Sequence, residues 1–387
     1  MRNFAVNTRF NIHVDLNKSQ GSYIYDKNTN KKYLDLFGMY ASLPLGYNHE
    51  VFKSDSYKKE MLEASTFKIN NCEFITDAAL EFDSLFKDYA GKGIYKYFHY
   101  CCTGALAIEA AIKASMEYKG HSVPKIISFH NSFHGINSYG GFITSRFWPV
   151  DQKLSNLPEP FSVKAHPDLQ AIEDHIKKGD ITCVVVEPIQ CSVGDIHLDY
   201  DFLKSLRDLT EQHNVPLIFD EIQVGFGGTG KLWFYEHLGF NPDIVVFGKK
   251  TQVSGIMVQE KFGNIFGKDK ITKLAVTWNS DIVDMIRCKY IMQAYKKYNI
   301  LENVNIVSEY IKSYMKNDDS IINFRNKGLI IAFDLKNKQK RDIIADKMFE
   351  LGLLTNPTGD RSIRIRPSLN LSKEDAKIAI SVIKEVI

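Results

Sequence analysis

Three polar side chains that could carry out chemistry together each follow a short apolar run. Glu187 follows residues 184–186, Asp220 follows residues 217–219, and Lys249 follows residues 244–248. Short runs rich in valine and isoleucine are typical of buried parallel strands. Ligands bind at the carboxyl ends of such strands, so we expect the three side chains to meet at one crevice.

A lysine and an aspartate that share a crevice suit one cofactor in particular. A lysine acts as a nucleophile when burial or a neighbouring cation, here Lys250, helps it to lose its proton. A buried aspartate needs a partner, and a protonated pyridine nitrogen would serve, as in pyridoxal-phosphate chemistry. The spacing leaves an alternative open, in which Lys249 and Lys250 are surface lysines and Asp220 caps a turn. Neighbouring strand side chains point opposite ways, so only one of the two lysines can face the crevice.

Two further patterns suggest how a phosphate and a carboxylate could be bound. Residues 103–105 open a helical pattern, and a helix N-terminus offers free N–H groups to a phosphate. Arg364 and Arg366 alternate with isoleucines, so both are expected on one face of a strand, where a guanidinium can bind a carboxylate. One of the two arginines could equally form a surface ion pair. The spacing of His130 and His134 favours a structural or cofactor-side histidine over a metal ligand.

The glycine-rich stretch 225–231 has the spacing of a nucleotide-binding loop but lacks its final residue. The sequence reads G-x-x-x-x-G-K, and Leu232 follows where a serine or threonine is needed to hold magnesium. We therefore expect a flexible active-site loop rather than a nucleotide-binding one.

Composition excludes several other classes of function. With 49 basic and 46 acidic residues the net charge is +3, which gives no indication of nucleic-acid or membrane-surface binding. No run of about eighteen apolar residues predicts a membrane span, and the first residues lack the apolar core of a secretory signal. The six cysteines form no C-x-x-C pair, so no metal site is expected and a cytoplasmic location fits.

The elements that must position these residues form an α/β pattern. A length of 387 residues favours two domains. Residues 20–50 resemble a small β-meander, and residues 51–290 alternate helical and strand patterns, which is typical of a doubly wound sheet. Beyond residue 290 a long helix, a strand near 329–333 and a terminal helix are expected. We predict an N-terminal segment, 1–50, that joins the small domain, a large cofactor-binding domain, 51–290, and a smaller α+β domain, 291–387.

Together these motifs resemble the class III aminotransferases of the fold type I pyridoxal-phosphate family. The resemblance runs from Gly21 to Leu369 and is most specific between Phe219 and Lys249. Within the class, residues 247–255 look like the L-lysine 6-aminotransferases, and the 4-aminobutyrate aminotransferases are the next nearest group. The resemblance implies transfer of an ω-amino group, from L-lysine or a related amine, to 2-oxoglutarate, giving an aldehyde and glutamate.

The resemblance also implies a role for each matching position. Lys249 would bind the cofactor covalently and move the proton, Asp220 would pair with the pyridine nitrogen, and Gln223 would contact the ring hydroxyl oxygen. Phe133 would stack on the ring beside His134, Gly104 and Ala105 would bind the phosphate, and Thr277 would reach the phosphate in the neighbouring subunit of a homodimer. Arg364 would bind the carboxylate of 2-oxoglutarate, and Glu187 and Gln190 would line the pocket.

Three positions depart from the pattern of the lysine and 4-aminobutyrate enzymes. Ile136 replaces an arginine that grips the far carboxylate of the donor, and Ser192 replaces a glutamate that pairs with the carboxylate-binding arginine. Ala275-Val276 replaces a more polar pair. The alternatives that stay open are another ω-amine aminotransferase, a pyridoxal-phosphate aminomutase or epimerase, and a non-enzymatic member that keeps the fold.

Overall fold

The computed structural model describes residues 10–145, 161–266 and 273–387. Sixteen strands lie in these ranges: β1 Tyr23–Tyr25, β2 Lys32–Asp35, β3 Tyr97–Cys101, β4 Ile126–Phe129, β5 Ser162–Ala165, β6 Cys183–Val186, β7 Ile189–Gln190, β8 Ile196–His197, β9 Leu217–Asp220, β10 Ile244–Phe247, β11 Ser254–Val258, β12 Ile322–Lys327, β13 Ile330–Asp334, β14 Leu353–Leu354, β15 Asn356–Thr358 and β16 Ser362–Ile365.

The helices alternate with these strands over most of the chain. They are Asp55–Ser65, Asp77–Phe86, Gly104–Lys119, Ser138–Ile143, Leu169–Ile176, Tyr200–Gln212, Ile282–Lys297, Ile300–Met315, Lys338–Glu350 and Lys373–Val386. Short 3-10 turns cover Glu50–Lys53, Cys191–Val193, Phe234–His237, Lys249–Thr251 and Glu260–Ile265, and a π-turn covers Lys87–Gly91. Across the described part of the chain, none of these helices has the length and apolar character needed to cross a membrane.

A seven-stranded sheet forms the centre of the molecule, in the order β3-β11-β10-β9-β6-β4-β5. Every neighbouring pair from β10 to β5 is parallel, and only β11 runs against its neighbours. The mixed, doubly wound α/β sheet predicted from the alternating pattern is therefore confirmed, as are the three apolar runs predicted to be β6, β9 and β10.

Both faces of this sheet are buried around β6, β9 and β10, which explains why these strands are apolar up to their carboxyl ends. Val185, Ile218 and Val246 pack in the cluster that contains the helix Gly104–Lys119. Their neighbours along the same strands, Val186 and Phe219 among them, pack in the larger cluster on the opposite face. Successive strand side chains point to opposite faces, so a strand covered on both sides needs an unbroken apolar run.

Smaller sheets flank the central one. β12, β13, β16 and β15 form an antiparallel sheet that carries Arg364 in its strand β16. The predicted meander is confirmed as β1 and β2, and β2 also pairs in parallel with β14. The N-terminal segment thus adds strands to the C-terminal part of the chain. The domain boundaries at residues 50 and 290 stay a prediction.

The glycine-rich stretch 225–231 departs from the expectation of a flexible loop. Residues 225–230 are buried in a tight turn, in which the Gly227 N–H donates to the Leu232 carbonyl at 3.0 Å. A Cβ at Gly225 would lie 2.8 Å from the Trp233 ring. The glycines are needed here because side chains and backbone approach closely.

Removing a side chain from the middle of the sheet is expected to destabilise the fold strongly. Leu217 in β9 is fully buried, so Leu217→Ala should lower the free energy of unfolding by about 2–5 kcal/mol. Leu351→Ala is the matched control, because Leu351 is 47% exposed and should cost less than about 1 kcal/mol. Urea unfolding followed by circular dichroism measures both values, and equal losses would contradict this packing.

Candidate active site

Two cavities meet at the carboxyl edge of the central sheet and share three residues, Phe133, Gln223 and Lys249. The first has a volume of about 240 Å³ and is lined by Gly104, Ala105, Phe133, His134, Gly135, Ile136, Glu187, Asp220, Ile222, Gln223 and Lys249. The second has a volume of about 390 Å³ and is lined by Met39, Tyr40, Ser42, Phe133, Ser192, Gln223, Lys249 and Arg364. The crevice predicted from the strand ends is therefore present.

Lys249 lies at the junction of the two cavities, directly after β10. Its backbone is left-handed, with φ of +55°, a conformation that costs a non-glycine residue roughly 1–2 kcal/mol. Burial lowers the pKa of its ammonium, and Arg364 adds to that effect, whereas Asp220 and Glu187 oppose it. A lysine in this environment gives up its proton more readily than one in water.

The adjacent Lys250 does not share the cavity. Its Nζ donates to the Gln223 carbonyl at 2.6 Å, and the side chain is buried. The prediction that only one of the two lysines faces the crevice is borne out by this arrangement. Arg364 is one cation whose charge helps to lower the pKa of Lys249, and the assistance expected from Lys250 stays a prediction.

Asp220 ends β9 and is held by two hydrogen bonds. Its Oδ2 lies 2.9 Å from Nδ1 of His134, and its Oδ1 accepts from the Ile222 N–H at 3.1 Å. Asp220 and His134 are 5% and 1% exposed. Among the described residues Nε2 of His134 has no hydrogen-bond partner. A buried polar atom of this kind normally has a partner, so the site has an unfilled polar position beside Asp220.

Glu187 follows β6 and faces the same cavity as Asp220. Its Oε2 accepts from the Phe133 N–H at 2.8 Å. Burial raises the pKa of this carboxyl well above its usual value, and the charge of Asp220 raises it further. Two carboxyls in one buried space do not both ionise easily, so these surroundings favour the protonated form of Glu187.

The helix Gly104–Lys119 begins at the edge of the first cavity. The Thr103 hydroxyl accepts from the Leu106 N–H at 3.4 Å, which caps the helix and leaves the N–H groups before it for another acceptor. A Cβ at Gly104 would lie 2.7 Å from Cδ1 of Ile222. Glycine at this position therefore lets the helix N-terminus, which can bind a phosphate, pack closely against Ile222.

Arg364 reaches the second cavity from β16. Its Nη1 donates to the Cys191 carbonyl at 2.5 Å, which fixes it against the turn that carries Ser192. The other arginine of the predicted pair, Arg366, is fully buried and forms an ion pair with Asp195. It is neither a surface ion pair nor part of the cavity lining.

Three predicted residues lie at the margins of this site. Gln190 is buried but lines neither cavity, and its Nε2 donates to the His130 carbonyl at 2.6 Å. Ile136 lines the first cavity, although its side chain is 69% exposed. Thr277 is exposed and lines neither cavity. Within the part of one chain that is described, Thr277 does not reach the site.

One wall of the second cavity is a turn that the sequence does not predict. Met39 and Tyr40 line it, and residues 38–41 all have positive φ, of 54°, 52°, 59° and 65°. The turn brings Gly38 so close to the Arg366 carbonyl that a Cβ at this position would clash with it. No apolar period or turn dipeptide marks this conformation, since only Gly38 favours it intrinsically. The single available signal was a glycine followed by two large side chains.

Several features of the site fit pyridoxal phosphate. Asp220, His134 and the helix N-terminus at Gly104 all line the first cavity, where a ring nitrogen and a phosphate could be bound. Lys249 lies between them with a lowered pKa. These residues would hold the cofactor, which supplies an electron sink for carbanion chemistry.

Comparison with known proteins agrees with this arrangement. The family model for aminotransferase class-III matches residues 4–387. An L-lysine-epsilon aminotransferase from Amycolatopsis lactamdurans is 28% identical, over 95% of this chain and 90% of that protein. A 4-aminobutyrate aminotransferase from Schizosaccharomyces pombe is also 28% identical, over 97% of this chain and 89% of that protein.

A solved structure matches the whole fold. The lysine aminotransferase from M. tuberculosis in its internal aldimine form superposes with a TM-score of 0.90 at 26% identity, covering 100% of this chain and 96% of that one. The resemblance to fold type I enzymes and the cofactor prediction are therefore confirmed. The chain belongs to the class III aminotransferases, the pyridoxal-phosphate-dependent enzymes that transfer amino groups.

Proposed function

We propose that this aminotransferase moves the ω-amino group of L-lysine or a related amine to 2-oxoglutarate, giving an aldehyde and glutamate. The proposal rests on the position of Lys249. This lysine lines both the cavity that Asp220 lines and the cavity that Arg364 lines. The first suits the cofactor, and the second offers a guanidinium to a substrate carboxylate. Both lie within reach of one lysine.

In this proposal each side chain near the cofactor acts through a specific atom. Nζ of Lys249 would be the base that takes a proton from the amine-bearing substrate carbon and delivers it two bonds away, to the carbon on the far side of the substrate nitrogen. Its lowered pKa keeps a larger fraction of the amine neutral near neutral pH. Asp220 keeps a proton on the pyridine nitrogen, and His134 holds that carboxylate in place at 2.9 Å. Gly104 and Ala105 bind the phosphate through backbone N–H groups.

The acceptor is assigned from the second cavity. Arg364 lines it together with Ser192 and is fixed by the Cys191 carbonyl. With Ser192 in place of a glutamate, no carboxylate at that position competes for the guanidinium. Arg364 is therefore disposed to bind the carboxylate of 2-oxoglutarate or glutamate at each half of the reaction.

The donor is assigned from the relatives and from the entrance of the first cavity. The curated relatives named above act on L-lysine and 4-aminobutyrate according to their names. At the entrance this chain has Ile136, an exposed apolar side chain, where the family resemblance leads us to expect an arginine that binds a distant carboxylate. The site therefore favours an ω-amine whose far end is weakly held.

We also propose that the enzyme is a homodimer with shared sites. Thr277 lies between Val276 and Trp278, which are 49% and 45% exposed. The neighbouring segment adds Phe74 and Ile75 at 61% and 79% exposure. The two segments touch, because Sγ of Cys72 lies 3.6 Å from the Val276 carbonyl. An apolar surface of this kind around Thr277 suits an interface that delivers Thr277 to the partner's cofactor phosphate.

The half-reaction with a donor alone tests the proposed function. Purified protein loaded with pyridoxal phosphate should lose its visible absorption band when L-lysine is added without a keto acid, and 2-oxoglutarate should restore the band with release of glutamate. A band that lysine leaves unchanged but another ω-amine removes would correct the donor. Turnover of an amine without consumption of 2-oxoglutarate would instead indicate a mutase or epimerase.

Restoring a charge at position 136 should improve the use of donors that carry a far carboxylate. Ile136→Arg is expected to lower the KM for 4-aminobutyrate or L-lysine about fivefold, because an exposed ion pair contributes roughly 1 kcal/mol. Ile136→Met is the matched control without a charge. Steady-state kinetics with a donor that lacks a carboxylate should show no such gain, and an equal gain there would contradict the assignment.

Adding a charge to the apolar surface should dissociate the dimer. Ile75→Lys is expected to shift sedimentation from dimer to monomer and to weaken cofactor binding, since Thr277 would no longer reach a neighbouring phosphate. Leu351→Lys, at a site 47% exposed beyond the helix Lys338–Glu350, should leave both properties unchanged. A dimer that survives Ile75→Lys with full cofactor content would argue against this interface.

A further inference from the structure

Arg366 is a buried arginine that the proposed reaction leaves without a role. It is 1% exposed, and its partner Asp195 is fully buried. Its Nη2 donates to Oδ1 of Asp195, and its Nη1 donates at 3.0 Å to the carbonyls of Ile331 and Ile365. Replacing a buried ion pair by apolar side chains is often neutral for stability, so stability alone does not explain why a fold keeps one.

A further donor of this guanidinium contacts a residue of the active site. Nε of Arg366 donates to Oε1 of Gln223 at 3.4 Å. Gln223 is also held by its backbone, because Nζ of Lys250 donates to its carbonyl at 2.6 Å. Gln223 lines both cavities. Gln223 is thus held at its side chain by Arg366 and at its backbone carbonyl by Lys250.

The chemistry of the two groups determines which way the amide points. A side-chain amide has an oxygen that accepts and a nitrogen that donates, whereas a guanidinium only donates. Arg366 therefore binds the oxygen end, and Nε2 of Gln223 is the end left for the cavity. Burial alone would lower the pKa of Arg366, but Asp195 raises it above its usual value. The arginine thus remains a donor at every pH at which the enzyme works.

We propose that Arg366, anchored by Asp195, is a positioning residue that orients the Gln223 amide so that Nε2 donates to the ring oxygen of the cofactor. The inference rests on the proposed function and on the contact between Gln223 and that oxygen, which the family resemblance implies. Without Arg366 the amide can turn over and present its own oxygen, which repels the ring oxygen instead of stabilising it. Arg366 acts only through Gln223 and touches neither substrate nor cofactor.

This orientation has a spectroscopic consequence. A hydrogen bond donated to the ring oxygen draws negative charge away from it, and the oxygen then holds the nearby proton on the Lys249 nitrogen less tightly. Loss of the donor should raise the pH at which the visible absorbance of the bound cofactor changes. One hydrogen bond to a charged atom corresponds to a shift of roughly one pH unit.

The test compares holoenzymes by visible absorbance titration. Arg366→Met should raise the pH midpoint by about one unit relative to the unaltered protein. Arg207→Met is the matched control, because Arg207 is also buried and pairs with a buried carboxylate, Asp243, at 2.8 Å, but is not bonded to Gln223. The control should keep the original midpoint. An Arg366 variant with full cofactor content and an unshifted midpoint would overturn the proposal.

A double-mutant cycle separates positioning from a general electrostatic effect of the lost charge. Gln223→Met should shift the midpoint at least as far as Arg366→Met, and the double variant should shift it no further, because Arg366 acts through the amide. Additive shifts would mean that Arg366 acts on the cofactor without Gln223, and would refute the proposal.

Arg366→Lys covers the case in which the methionine variant does not fold. A lysine can keep the charge that Asp195 needs, but it has no N–H at the position of Nε, the atom that donates to Gln223. We expect this variant to bind the cofactor with the same upward shift, and an unshifted midpoint would again overturn the proposal. An unaltered protein that shows no visible band with pyridoxal phosphate would instead contradict the proposed function itself.

Discussion

The structure depends on placing several ionisable groups in one buried crevice at the carboxyl edge of a parallel sheet. Asp220, Glu187 and Lys249 each follow a strand that is covered on both faces, so they point into the space between strand ends and away from bulk water. Charges in such a space interact strongly and must be neutralised by one another or by a ligand. The apolar strands thus create the conditions for the chemistry as well as the position.

Each ionisable group in this crevice is stabilised in its buried position in a different way. The surroundings of Glu187 favour its protonated form, since burial and the neighbouring Asp220 both raise its pKa. Asp220 is bonded to His134 and to a backbone N–H. The lowered pKa of Lys249 favours the neutral amine, the form that can attack a carbonyl carbon. In the proposed function the cofactor would complete this set, with its ring nitrogen beside Asp220 and its phosphate at the helix N-terminus.

Local sequence signals predicted much of this arrangement, because they reflect local physics. Burial on two sides was enough to predict β6, β9 and β10 from their apolar runs. The N-cap residue and the glycine that follows it were enough to predict the start of the helix at Gly104. Positions set by contacts distant in sequence were not predictable in this way. The left-handed turn at residues 38–41 is fixed by its approach to the Arg366 backbone. The sequence leaves a surface ion pair open for Arg366, because its buried partner Asp195 is 171 residues away along the chain.

Two predicted residues show a different limit. Thr277 and Gln190 came from family resemblance and not from physics that the strands impose. Gln190 proves to support the His130 carbonyl and lines neither cavity. Thr277 is exposed on one chain, so its role depends on a second copy that no single sequence pattern describes.

The central claim is that Lys249, and not the adjacent Lys250, bonds the cofactor. The most direct measurement is borohydride reduction of the holoenzyme, which makes the bond permanent, followed by peptide mass spectrometry. This account predicts a single pyridoxyl group on Lys249, because Lys249 lines both cavities while Lys250 is buried against the Gln223 carbonyl. Label on Lys250, or on neither lysine, would contradict the account.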